Sequence, residues 1–123
     1  MRKPSRKTLT RKLDRLVGEI VRKRDKETCQ WCGKRVSGSN CHVSHVVPRS
    51  AGNLLRWDLK NLKVLCFHCH INRWHKNPRE AAEWFNGRFP KRAKYLDKHR
   101  HKIKRWKTWE LEELFDKLSK QVV

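Results

Sequence analysis

The chain reads as a small α+β domain, and three patterns predict it. Apolar residues recur at three- and four-residue spacing near both ends, two short β-prone runs lie in the middle, and two Cys-x-x-Cys pairs accompany those runs. A chain of 123 residues supports one hydrophobic core, so a single domain over 1–123 is expected. Its expected layout is a basic arm at 1–12, a helix at 13–28, a metal-clipped core of two strands and a helix at 29–78, and a helical extension at 79–123.

Taken in order, residues 1–12 are rich in Lys and Arg and precede any sustained apolar pattern, which suits a disordered arm, either solvated or in contact with DNA. From Leu9 onward Leu13, Leu16, Val17, Ile20 and Val21 form the apolar stripe of an amphipathic helix that delivers the chain to Cys29. Cys29-x-x-Cys32, Gly33 and the polar run Ser37 to Asn40 read as a metal knuckle and a turn in a short hairpin. Cys41 to Val47, stopped by Pro48, predicts a strand, and Lys63 to Cys66 a second strand paired with it. Between them, residues 48–61 carry Pro, Gly and Asn without a long period and form a loop held by specific contacts.

A helix is expected over His70 to Lys76. Asn77 and Pro78 resemble an N-cap and first helical position for another through Phe85, closed by Gly87 and Pro90. A very basic helix would follow from Pro90 to about Lys102. Leu111, Leu114, Phe115, Leu118 and Val122 form a last stripe, with Glu110, Glu112 and Glu113 near its N-terminus where the dipole favours acids. That stripe reads as core or a dimer contact.

Thirty-two Lys and Arg against 12 Asp and Glu give a formal charge of +20, spread along the whole chain. Such a surface calls for a polyanion, and nucleic acid is the first partner to consider. No run approaches the roughly 20 apolar residues needed to span a bilayer, and the first residues lack an apolar signal core, so no membrane partner and a cytoplasmic location are expected.

Of five cysteines, four fall in Cys29-x-x-Cys32 and Cys66-x-x-Cys69, with 33 residues between the inner pair. Two knuckles of thiolates suit a structural tetrahedral zinc better than a secreted disulfide framework or a single redox pair. A site in which His68 or His70 replaces one cysteine is the competing arrangement, and Cys41 is left over as a buried thiol.

Ser44-His45, Pro48-Arg49, then Asn61-Leu62, Leu65-Cys66, Cys69-His70, with nine residues from Asn61 to His70, resemble the signature of the HNH endonucleases. The resemblance covers about Cys29 to Pro78, and Arg56 to Asn61 is similar to a loop in phage recombination proteins of the NinG/Rap type. It implies a ββα-metal core and a metal-dependent DNA endonuclease acting on double-stranded or branched DNA in a bacterial or phage-infected cell. It further implies His45 as general base, His70 as ligand of one catalytic divalent ion (magnesium or manganese), and Asn61 as a buttress of the loop.

The position before the base is usually an acidic or histidine ligand in that family, and here it is Ser44. A hydroxyl is a weak ligand, so Asp58, His42 or water completes the shell. His75, five residues from His70, falls partly off the same helical face and is expected to face solvent or DNA. Arg49, Arg56 and Arg73 are candidate phosphate clamps, and Trp57 and Trp74 are read as core. The alternative from a different class is a non-catalytic, zinc-dependent nucleic-acid-binding module.

Overall fold

A computed structural model describes residues 4–51 and 53–121. Helix α1 (Arg6–Arg24) opens at Ser5, whose hydroxyl accepts the Thr8 N–H at 3.2 Å, and ends on Arg22, Lys23 and Arg24, cations that suit a helix C-terminus. It therefore starts well before residue 13, and most of the expected arm is helical. Lys, Arg and Leu are good helix formers, and Leu9, 3% exposed, anchors this first stretch in the core. Residues 1–3 of the arm lie outside the described residues. The helix also stops short of 28, because Lys26 and Glu27 take positive φ of 55° and 48° and turn the chain toward Cys29.

Strands β1 (His42–His45) and β2 (Leu62–Leu65) pair antiparallel, with His42 opposite Leu65 and His45 opposite Leu62. β2 ends before Cys66 because the Cys66 carbonyl turns to accept the His70 N–H at 2.9 Å, the first bond of the next helix. The far edge of β2 is fully used. The Asp25 carboxylate accepts the Val64 N–H at 2.9 Å, the Gln30 N–H meets the Val64 carbonyl at 2.9 Å, and Arg24 and Arg92 both donate to the Leu62 carbonyl. No free ladder is left there for another strand to join.

After β2 the chain forms a π-helix (His68–His75) instead of the α-helix expected over 70–76. Helices α2 (Pro78–Arg88), α3 (Pro90–His99) and α4 (Thr108–Ser119) follow. Pro78 does occupy the first turn of α2, but the Asn77 side chain makes no capping bond; α3 ends at His99, short of Lys102. Leu111 and Leu118 of α4 are buried against α1, so the last stripe is core, and its Val122 lies outside the described residues. Leu13, Val17, Val21, Leu62, Val64 and Leu65 complete this main cluster, while Val47, Leu55, Phe85, Ala93 and Leu96 form a second one under α2 and α3. The result is a two-stranded sheet and a short helix clipped by cysteines and flanked by helices on both sides.

The 48–61 loop is held from inside by Asn61, which is fully buried. Its Oδ1 accepts the Val47 N–H at 2.7 Å, and its Nδ2 donates to the carbonyls of Val47 at 3.0 Å and Leu55 at 3.1 Å. Asn61→Ala would orphan the buried Val47 N–H and carbonyl, each costing about 1–3 kcal/mol, while the Leu55 carbonyl keeps the Asp58 N–H at 3.1 Å. We expect a loss of stability on the order of 3 kcal/mol in denaturant unfolding of the zinc-loaded protein; an unchanged midpoint would mean that water replaces the amide.

Candidate functional site

The α1 turn delivers Cys29 and Cys32, and the end of β2 delivers Cys66 and Cys69, so that all four sulfurs lie within 4.8 Å of one another. A tetrahedral zinc with bonds of about 2.3 Å has S···S edges of about 3.8 Å. Cys32 and Cys66 are 3.8 Å apart, and the set fits the ion. Its electrostatics fit too. Burial works to raise the Cys29 pKa, but backbone N–H groups of Cys32, Cys66 and Trp31 outweigh it and bring the thiol to about 7, whereas burial and neighbouring sulfurs push Cys69 well up. Four thiolates cannot share this space without a cation. Cys41 is a separate buried thiol.

A cleft of about 600 Å³ opens beside this clip, lined by Asp14, His45, Arg49, His70, Trp74 and His75. His45, at the end of β1, donates from Nε2 to the Arg56 carbonyl at 3.2 Å, which leaves the lone pair on Nδ1. Burial is the largest influence on its pKa and lowers it; the Arg56 carbonyl opposes and Arg49 adds to the lowering. The ring is thus kept in its basic, neutral form at neutral pH. His70 is pushed down to about 4, first by burial and then by the nearby rings of His75 and His42.

His75 is exposed, as expected, but it does not fall off the face of His70 as its spacing predicts. On an α-helix five residues turn the chain by about 500°, leaving two side chains about 140° apart. A π-helix closes its bonds from i to i+5 and brings such positions onto one side. The Nε2 atoms of His70 and His75 consequently face each other at 3.1 Å.

The other expected ligands are differently engaged. Ser44 is 1% exposed, and its hydroxyl accepts from the Nζ of Lys63, its cross-strand partner, at 3.1 Å. Lys63 is itself fully buried, with Nζ 3.4 Å from the Trp74 ring centre. The Asp58 carboxylate caps the Lys60 N–H and accepts from Tyr95, away from the cleft. His42 approaches His70 from the other ring nitrogen, Nδ1 to Nδ1 at 2.9 Å.

Two of the three arginines are likewise occupied. Arg56 holds Asp14 through two bonds, at 3.1 and 2.7 Å, and Arg73 lies over Trp31 and binds Glu80 at 2.9 Å. Arg49 reaches the same Asp14 only at 3.8 Å and is more than half exposed at the cleft rim. Trp57 is buried and donates to Asp14 at 2.8 Å; Trp74 is half-buried between cleft and core.

Asp14 and Lys63 went unmarked by sequence reasoning. Asp14 lies outside the motif, and its partners are 42 and 43 residues away, so no local spacing announces it. Lys63 stands in an otherwise apolar run, and only that lone cation signals a buried charge.

Comparison with protein families matches residues 29–76 to the family described as HNH endonuclease. Comparison with curated proteins and with solved structures gave no match. The matched segment holds both strands, all four clustered cysteines, His45 and the π-helix, and it supports the HNH family for this part of the chain. That family points to nuclease activity or nucleic-acid binding together with a four-cysteine metal site. Among the described residues no helix is long and apolar enough to cross a membrane.

Proposed function

We propose that the chain is a divalent-metal-dependent DNA endonuclease organised as one HNH unit, with α1 contributing a wall of the cleft. The observation that carries this reading is the shared cleft of His45, His70 and His75, with α1 supplying Asp14 to its rim. His45 accepts the proton of an attacking water at Nδ1, its other nitrogen being committed to the Arg56 carbonyl. A cation bound there supplies charge stabilisation at the phosphate and leaving oxygen. His70 and His75 would hold that ion, and Asn61 fixes the loop that carries Arg56. Arg49, more than half exposed and paired with Asp14 only at 3.8 Å, is the guanidinium placed to hold a phosphate, with the +20 charge drawing DNA in.

Two imidazoles suit manganese or a later transition ion better than magnesium, which prefers oxygen ligands. The one cleft carboxylate, Asp14, is taken up by Arg56 and Trp57. Zinc at the four cysteines is structural. The specific observation favouring a second reading, a non-catalytic binding module, is Ser44, buried against Lys63 where the family commonly has a ligand.

Zinc-loaded protein incubated with supercoiled plasmid is expected to nick or linearise it with manganese, more slowly with magnesium, and not at all in excess chelator. Binding without cleavage in every ion would leave the module reading in its place. Linear, nicked and four-way-junction substrates run side by side test the branched-DNA role that the phage-type loop suggests.

A further inference from the structure

We infer that His42 is a positioning residue that sets the tautomer of His70 and thereby aims the Nε2 lone pair of His70 into the cleft; the inference deepens the reading of His70 and His75 as ion ligands and rests on it.

A chain of acceptors fixes where each proton sits. The Ser39 carbonyl can only accept, and it lies 2.8 Å from His42 Nε2, so that nitrogen carries a proton. A neutral His42 ring then presents a bare lone pair at Nδ1. His70 Nδ1 stands 2.9 Å from it and must be the donor. With its proton on Nδ1, neutral His70 has its lone pair on Nε2, the atom that faces His75 Nε2 at 3.1 Å. Drawing the central bond the other way would need protons on both His42 nitrogens at once, one for the Ser39 carbonyl and one for His70.

Local packing holds the relay in place. Gly38, at φ +55°, allows the turn Gly38–Asn40 that presents the Ser39 carbonyl, and Asn40 Oδ1 ties that turn to the Phe67 N–H at 2.8 Å. The His42 ring stands edge-on to both Phe67 and His70, with centroids 5.8 and 5.1 Å apart. His42 does not line the cleft, so it acts through His70. Groups that orient a metal-binding histidine through its second nitrogen typically change ion affinity about 10–100-fold when removed.

Nitrogen-15 imidazole spectra of the zinc-loaded protein, before any catalytic ion is added, test this directly. We expect His42 protonated at Nε2 and His70 at Nδ1. His42→Phe keeps a flat ring beside Phe67 but offers no acceptor; His70 should lose its Nδ1–H preference, and manganese affinity by calorimetry should fall about 10–100-fold. His42→Asn, whose Oδ1 lies near the lost Nδ1, should recover both.

A wild-type His70 protonated at Nε2, or one whose tautomer is unmoved in His42→Phe, overturns the inference, and the wild-type spectrum alone decides should the Phe variant fail to fold. Tautomer and ion affinity that follow residue 42 in a protein unable to cut DNA support the inference and remove the nuclease reading. Cleavage by wild type with both properties indifferent to residue 42 does the reverse.

Discussion

Stripping the zinc is expected to abolish the cooperative thermal transition of this protein, and returning zinc is expected to restore it. Structural zinc sites contribute on the order of 10 kcal/mol in small domains, comparable with the whole stability of about 5–15 kcal/mol that a folded domain has. The clip is placed where its loss does most harm. Cys29 and Cys32 hold the segment that follows α1, while Cys66 and Cys69 hold the junction of β2 with the π-helix. Without the ion, hydrogen bonds tie the chain between α1 and β1 to β2 and the π-helix region mainly through the Val64 N–H to Asp25, Gln30 to Val64 and Phe67 to Asn40 pairs. Circular dichroism with and without a strong chelator, alongside metal analysis, reads the effect. An unchanged melting temperature in zinc-free protein would show that the four thiols are packed core and no more.

His45→Ala is expected to reduce plasmid cleavage by about 10²–10⁴-fold, the range that a positioned general base supplies. DNA binding and the melting temperature should stay near wild type, since the ring makes one hydrogen bond, to a backbone carbonyl at 3.2 Å, and lies at a cleft wall outside the main core. The loss should fall on the turnover rate and leave apparent affinity for DNA unaltered, as for a group that matters in the transition state alone. Equal cleavage by both proteins would remove His45 from the chemistry. Equal loss of binding and cleavage would mark it as a contact for DNA instead.

The cysteine clip and the strand pair were legible because their signals are local: Cys-x-x-Cys spacing, β-branched runs and a closing Pro48 all sit within a few residues of what they determine. The start of α1 was not, since six basic residues in 1–12 mask a helix whose only deep anchor there is Leu9. His75 is exposed as its spacing suggests, but its place beside His70 was not legible, for a geometric reason. Spacing rules assume an ordinary helix, and nothing in His70 to His75 announces a wider turn. Arg56, Arg73, Ser44 and Asp58 have the residue types that suit phosphate or metal, yet each is claimed by a partner brought from elsewhere in the chain: Asp14, Glu80, Lys63 and Tyr95. Asn61 was readable as a loop tie because an amide with no catalytic capacity, inside a motif of catalytic residues, has few other uses.

The wide turn between residues 70 and 75 behaves as a one-residue phase offset. With one residue fewer, the two imidazoles would stand four apart on a regular helix, about 40° from alignment, and remain neighbours. What the surplus residue alters is everything beyond it. Pro78, which borders two cavities, and Ala81, which is buried, lie beyond that offset and a non-helical Asn77 (φ −126°, ψ 71°), so the stretch that seats the histidine pair runs directly into the joint from which α2 starts.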